Sequence, residues 1–248
     1  MNSASPLVMI HGLLGSINYF APADHLDGIT VHTPDLQGYG TNRQAAAQAV
    51  TLEGQALHVA DHLRKHVDGP AWLLGHSVGG VVAMLVASQA PDLVRGLISV
   101  EGNFTLNDAF WCSKVAPMSL VDWQTEYQRM CSDETAWLLA SGIASTPERA
   151  LWARRILDNQ PAATVQAMAR AVVAATGRPD YLARVKDVVD AGTPVCLLAG
   201  ENSRAGWDVP AWVTAAARRN IVLDGVGHMM MLESPQAFCR AVRDIVQD

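Results

Sequence analysis

The decapeptide LLGHSVGGVV, residues 73–82, sets a lone serine, Ser77, among glycines directly after an apolar run. A serine hydroxyl is a weak nucleophile at neutral pH. The stretch therefore carries chemistry only where the rest of the chain supplies a base, an acid to orient that base, and donors for an oxyanion. Gly75, His76, Ser77, Val78 and Gly79 form the pattern G-x-S-x-G. Between a strand and a helix, this pattern makes a sharp, strained turn with no room for side chains two residues to either side of the serine. The plainer alternative is a glycine-rich turn in which Ser77 caps a helix N-terminus.

Such a turn needs a strand before it and a helix after it. AWLLGHS (71–77) reads as the strand and VVAMLVASQAP (81–91) as the helix. Further short apolar runs with β character recur at PLVMIHG (6–12), ITVHTPD (29–35), VRGLISVEG (94–102), PVCLLAG (194–200) and NIVLDGVGH (220–228). Helix-like segments separate most of them, the pattern of parallel βαβ units. Their near-continuous hydrophobicity predicts a sheet covered on both faces. Residues 103–193 hold no strand signal, and their first part is rich in Trp and Met. A structureless loop of that length does not fit a compact domain, so this stretch is predicted to be a helical insertion followed by a core helix near 164–176.

Three more stretches sit where partners of Ser77 would be needed. IHGLLGS (10–16) follows the first run, PDLQGYG (34–40) the second, and GVGHMMMLESP (225–235) places His228 between the last run and a final helix. With the serine turn, in this order, they make the chain resemble the α/β-hydrolase superfamily over nearly all of its length outside the insertion. The resemblance implies an α/β fold with a mainly parallel sheet. Relatives usually begin with two further strands, but only five residues precede the first run here, so a six-stranded sheet ordered 2-1-3-4-5-6 is expected. Helices would lie on both faces, with a catalytic core at 1–103 and 164–248. A helical cap at 104–163 would follow the fourth strand. It also implies Ser77 as nucleophile, His228 as general base, the backbone N–H groups of Leu13 and Val78 as the oxyanion hole, and no cofactor. The reaction expected is hydrolysis of a small, apolar carboxylic ester through an acyl-enzyme. Thioester, C–C or amide cleavage and acyl transfer on the same triad stay open, as does a non-catalytic ligand receptor on the same fold.

The triad acid departs from the family pattern. Most relatives carry an aspartate just after the fifth strand, in G-x-x-D, whereas this chain reads AGENSRAGWDVP with Ser203 there. Two carboxylates compete for the role. Glu101 ends the fourth run, a strand end from which some superfamily members take their acid, and Asp208 lies in the loop after the fifth. An ionisable side chain ending an apolar strand is costly unless partnered, which favours Glu101. A buried salt bridge is the other use for Glu101, and a helix N-cap ahead of VPAWVTAAARR the other use for Asp208.

The remaining signals exclude more than they assign. With 248 residues, half of them apolar, and a net charge of −6, the chain suits a large soluble α/β domain without an electrostatic footprint for nucleic acid. No run of about 18 apolar residues predicts a membrane span. Four scattered cysteines and an N-terminus without a basic, apolar leader point to a cytoplasmic protein. His58, His62 and His66 repeat at helical spacing but are expected to be solvent-exposed, and no metal is assigned to them. Trp111, Trp123, Trp137, Trp152, Met118 and Met130 could line an acyl pocket or pack a cap on the core.

Overall fold

The computed structural model describes residues 5–248. Its six strands are β1 (Leu7–Ile10), β2 (Val31–His32), β3 (Ala71–His76), β4 (Val94–Val100), β5 (Val195–Gly200) and β6 (Arg219–Leu223). They form one sheet in the order β2-β1-β3-β4-β5-β6, and every neighbouring pair is parallel. Every residue of β1, β3 and β5 is buried, which is why these strands read as unbroken apolar runs. The two edge strands, β2 and β6, are only partly buried. β2 is much shorter than the run that announced it, because the chain leaves the sheet after His32 for a loop that Asp35 ties down: its carboxylate accepts the Thr41 N–H at 3.0 Å and the Thr41 hydroxyl at 3.1 Å.

The strand register sets the level of the site. His76 pairs with Val100, so the next residues, Ser77 and Glu101, leave two adjacent strands side by side. Both lie at the carboxyl ends of a parallel sheet, where open α/β folds place their ligands.

Helix α1 (Leu52–His66) starts on a Thr51 cap that accepts the Gly54 N–H at 3.0 Å. Helix α2 (Val78–Gln89) is apolar on all sides, because it is enclosed by β3, β4, α1 and a later helix, Pro179–Asp190. Between β4 and β5 the chain forms α3 (Phe110–Val115), α4 (Leu120–Ser132), α5 (Glu134–Ala140), α6 (Pro147–Asp158), α7 (Ala162–Thr176) and α8 (Pro179–Asp190). α7 packs against α3 and α4 on one side and α8 on the other. After β5 come α9 (Ala211–Ala216), α10 (Met230–Glu233) and α11 (Pro235–Val246). α11 is strongly amphipathic and buries Phe238, Val242 and Ile245, each worth ~1.5–3 kcal/mol of transfer free energy.

The histidine trio departs from expectation, and the Trp and Met set divides between its two readings. Only His66 of the histidine trio is exposed. His58 Nε2 lies 3.0 Å from the Asp35 carbonyl, and His62 packs edge-on against His32 with ring centroids 5.5 Å apart. The helix face that looked free covers the β2 edge and its following loop. Of the Trp and Met set, Trp123 is buried in helix packing with Nε1 donating to the Ala162 carbonyl at 2.7 Å, and Trp152 packs beside Tyr19. Met130 packs within the core and Met118 against it, leaving Trp111 and Trp137 beside the cavity described below.

Among the described residues no helix is long and apolar enough to cross a membrane, and no group of His, Cys, Asp and Glu could hold a metal ion.

Candidate active site

Ser77 sits at φ 53° and ψ −123°, a conformation costly for any residue with a side chain. The glycines around it answer to space. A Cβ on Gly75 would lie 2.3 Å from the Gly79 carbonyl oxygen, and one on Gly79 would lie 2.3 Å from the oxygen of Ile10. The backbone is held from both sides, by Ser77 N–H to the Val100 carbonyl at 3.0 Å and by Asn103 N–H to the Ser77 carbonyl at 3.3 Å. Helix α2 begins at Val78, whose N–H is one of the four that the first helical turn leaves unpaired inside the helix. Gly12 approaches from the β1 loop, where a Cβ would stand 3.1 Å from Ser77 Cβ. That approach brings Leu13 to the same cavity as Ser77.

Glu101 is the second strained residue, at φ 43°, and is only 5 % exposed. Its Oε2 lies 2.7 Å from His228 Nδ1. Its Oε1 accepts the Gly200 N–H at 2.9 Å and the Ser203 hydroxyl at 2.5 Å. Burial pushes the pKa of Glu101 up, but the hydrogen bond and charge of His228, with the donors from Ser203 and Gly200, outweigh it and leave the carboxyl below its ordinary value. An ionised Glu101 requires His228 Nδ1 to carry the proton, which leaves Nε2 as the basic nitrogen.

The His228 loop is anchored independently of Glu101. Glu233 accepts the Gly227 N–H at 2.8 Å, and His76 Nε2 donates to the His228 carbonyl at 3.0 Å. Burial, reinforced by repulsion from His228, pushes the His76 pKa down to about 3, so this neighbour of the serine stays neutral and is a poor base. No hydrogen bond joins Ser77 Oγ to His228 among the described residues, as is common before substrate binds.

Asp208 does not meet His228. It accepts from Thr105 Oγ1 at 2.7 Å and Asn107 Nδ2 at 2.9 Å, tying the loop after β5 to the loop after β4. Nor does it cap a helix, since α9 starts after Pro210, two residues further on. The N-cap expected from composition is replaced by contacts to a loop more than 100 residues away.

Ser77, His228 and Leu13 line a cavity of about 500 Å³. Its apolar wall comes from Leu14, Phe110, Trp111, Trp137 and Met229, and its charged groups are the carboxyls of Asp108 and Glu233, with no Lys or Arg in the lining. Burial, with the nearby charge of Asp208, raises the Asp108 pKa to about 6 against the backbone and Asn103 bonds that oppose it. Sequence reasoning missed the contact of Ser203 with Glu101 and that of Glu233 with Gly227. A hydroxyl where an acid is usual was the one available signal for the first, and no local signal marked the second.

A model described as the alpha/beta hydrolase family matches residues 7–241. The chain is 28 % identical, over 97 % of its length and 93 % of the relative's, to a pimeloyl-[acyl-carrier protein] methyl ester esterase of Sodalis glossinidius. It is similar in fold to a thermophilic esterase from Thermogutta terrifontis, at TM-score 0.71 and 22 % identity, covering 99 % of this chain and 90 % of that one. An esterase from Exiguobacterium antarcticum gives TM-score 0.71 at 17 % identity, covering 100 % and 94 %.

Proposed function

This chain belongs to the alpha/beta hydrolase family, and on that footing we propose that it is a serine hydrolase acting on small, apolar carboxylic esters. Ser77 is the nucleophile, His228 the general base and Glu101 the acid, and the backbone N–H groups of Leu13 and Val78 form the oxyanion hole. The observation that carries this reading is the 2.7 Å contact between Glu101 Oε2 and His228 Nδ1, with Ser77 strained on the adjacent strand end and facing the same cavity. No metal or cofactor is needed for this chemistry.

His228 Nε2 takes the Ser77 hydroxyl proton as Oγ bonds to the ester carbonyl carbon. The carbonyl oxygen becomes an oxyanion held by the two N–H groups, each such donor being worth ~3 kcal/mol of barrier. Collapse breaks the bond to the alkoxy oxygen, which leaves as the alcohol with the proton from His228. Water then adds to the acyl-enzyme, His228 accepts its proton, and the carboxylic acid departs with Ser77 restored. Glu101 keeps its charge throughout and stabilises the imidazolium formed in both halves.

The cavity lining supports a neutral substrate. A carboxylate held ~6 Å from Asp108 or Glu233 costs ~3 kcal/mol at an effective permittivity of about 20, and solvent at the half-exposed Glu233 reduces this. Hydrolysis of p-nitrophenyl esters of graded chain length, with Ser77→Ala as control, tests the reading. The expected result is turnover of short neutral esters, at least ~10-fold poorer kcat/KM for a half-ester ending in a carboxylate, and none above background for Ser77→Ala. Thioesters run in parallel decide the bond cleaved. Wild-type rates in Ser77→Ala would overturn the proposal.

A further inference from the structure

We propose that Ser203 is a positioning residue for this chemistry, the uncharged donor that fixes the Glu101 carboxylate in the orientation His228 needs; the inference rests on the triad reading above. The two oxygens of Glu101 have separate partners. Oε2 faces His228 Nδ1 at 2.7 Å, while Oε1 takes Ser203 Oγ at 2.5 Å and Gly200 N–H at 2.9 Å.

The terminal torsion of a glutamate is broad and roughly two-fold. With a single anchor the carboxylate can turn, carrying Oε2 off the line to the imidazole. Two donors converging on Oε1 remove that freedom, and both come from β5 and its loop, whereas Glu101 directly follows β4. Ser203 is itself placed by backbone, its N–H donating to the Gly200 carbonyl at 3.2 Å. The other acceptor in reach of its hydroxyl, that same carbonyl, is more distant at 3.4 Å, so the hydroxyl is committed to Glu101.

Position 203 also has to be neutral. A carboxylate at hydrogen-bonding distance from Glu101 would force the pair to share a proton. A hydroxyl instead donates to the anion, holds it ionised and offsets part of the cost of its burial. At the position where the resemblance implies an aspartate, this chain thus has the donor that a carboxylate at the neighbouring strand end requires.

The test compares wild type, Ser203→Ala, Ser203→Thr and Ser77→Ala on a p-nitrophenyl ester. It also follows the downfield proton resonance of His228 Nδ1–H, which reports the bond to Glu101. The expected result for Ser203→Ala is a kcat lowered ~10- to 100-fold, the loss typical of a hydrogen bond to a charged group, with KM within about twofold and the His228 resonance shifted or broadened. Ser203→Thr, which keeps the hydroxyl, restores most of kcat. Should Ser203→Ala fail to fold, Ser203→Cys, of similar size and with a weak donor, takes its place with the same expectation. Wild-type kcat in Ser203→Ala, or a lost kcat with an unmoved His228 resonance, would overturn the inference while an inactive Ser77→Ala leaves the triad standing. Activity in Ser77→Ala would instead remove the reading on which it rests.

Discussion

Desolvating a carboxylate at the end of an apolar strand is costly, and Glu101 recovers that cost through His228, Ser203 and the Gly200 N–H. The same contacts give the imidazole one tautomer. Glu101→Gln keeps the shape of the side chain but can present an amide N–H to Nδ1, which favours the wrong tautomer. The expected loss is ~10²- to 10⁴-fold in kcat with KM little changed, measured by steady-state kinetics on a short ester. Retention of more than about a third of wild-type kcat would count against Glu101 as the acid. Ser77 and His228 could be picked out in the sequence because each sits in a motif whose neighbours are local. Which of Glu101 and Asp208 lies beside His228 could not be read there. It depends on the pairing of His76 with Val100 and of Val100 with Leu198, contacts between residues distant in the chain.

At the scale of elements, what was legible followed burial. β1, β3, β4 and β5 were readable as apolar runs to within a residue or two, since central strands of a covered sheet have no polar face. β2 was overread by several residues, because Asp35 and Thr41 pull the chain into a loop that no hydrophobic pattern announces. Asp208 was misread as a helix cap for a related reason: its partners, Thr105 and Asn107, lie across the site in another loop. Since its carboxylate is exposed and asparagine retains one acceptor oxygen, Asp208→Asn is expected to cost less than ~1 kcal/mol and to leave kcat within about twofold. Thermal melts and ester kinetics check both. A loss of kcat comparable to that of Glu101→Gln would place Asp208 in the catalytic machinery after all.

For the whole molecule, buried and half-buried histidines contribute to the response to acid. Burial pushes His76 down to about 3 and lowers His11, while partial burial lowers His32, with repulsion from His66, and His62, with repulsion from His32 and His66. In each case the unfolded chain takes up a proton near its ordinary pKa while the folded chain resists it. The stability from these groups is therefore complete above about pH 6.5 and is lost as pH falls toward the folded values. His76 alone accounts for ~2 kcal/mol between about pH 7.5 and pH 5. Glu101, held below its ordinary value, adds a loss of the same sign only below about pH 4.5. Asp108, raised to about 6, binds its proton more readily in the folded chain and offsets ~1 kcal/mol of the His76 loss over the same range. Urea unfolding at about pH 7.5 and about pH 5 is therefore expected to show a smaller net decrease, and a protein more stable at the lower pH than at the higher would contradict the neutral, buried state of His76. The proposed function itself is tested most directly by peptide mass mapping of the folded protein after exposure to a fluorophosphonate. The expected result is one covalent adduct on the peptide carrying Ser77, absent from Ser77→Ala and strongly slowed in His228→Ala. A folded protein that takes up no label, or takes it up at a residue other than Ser77, would contradict the account.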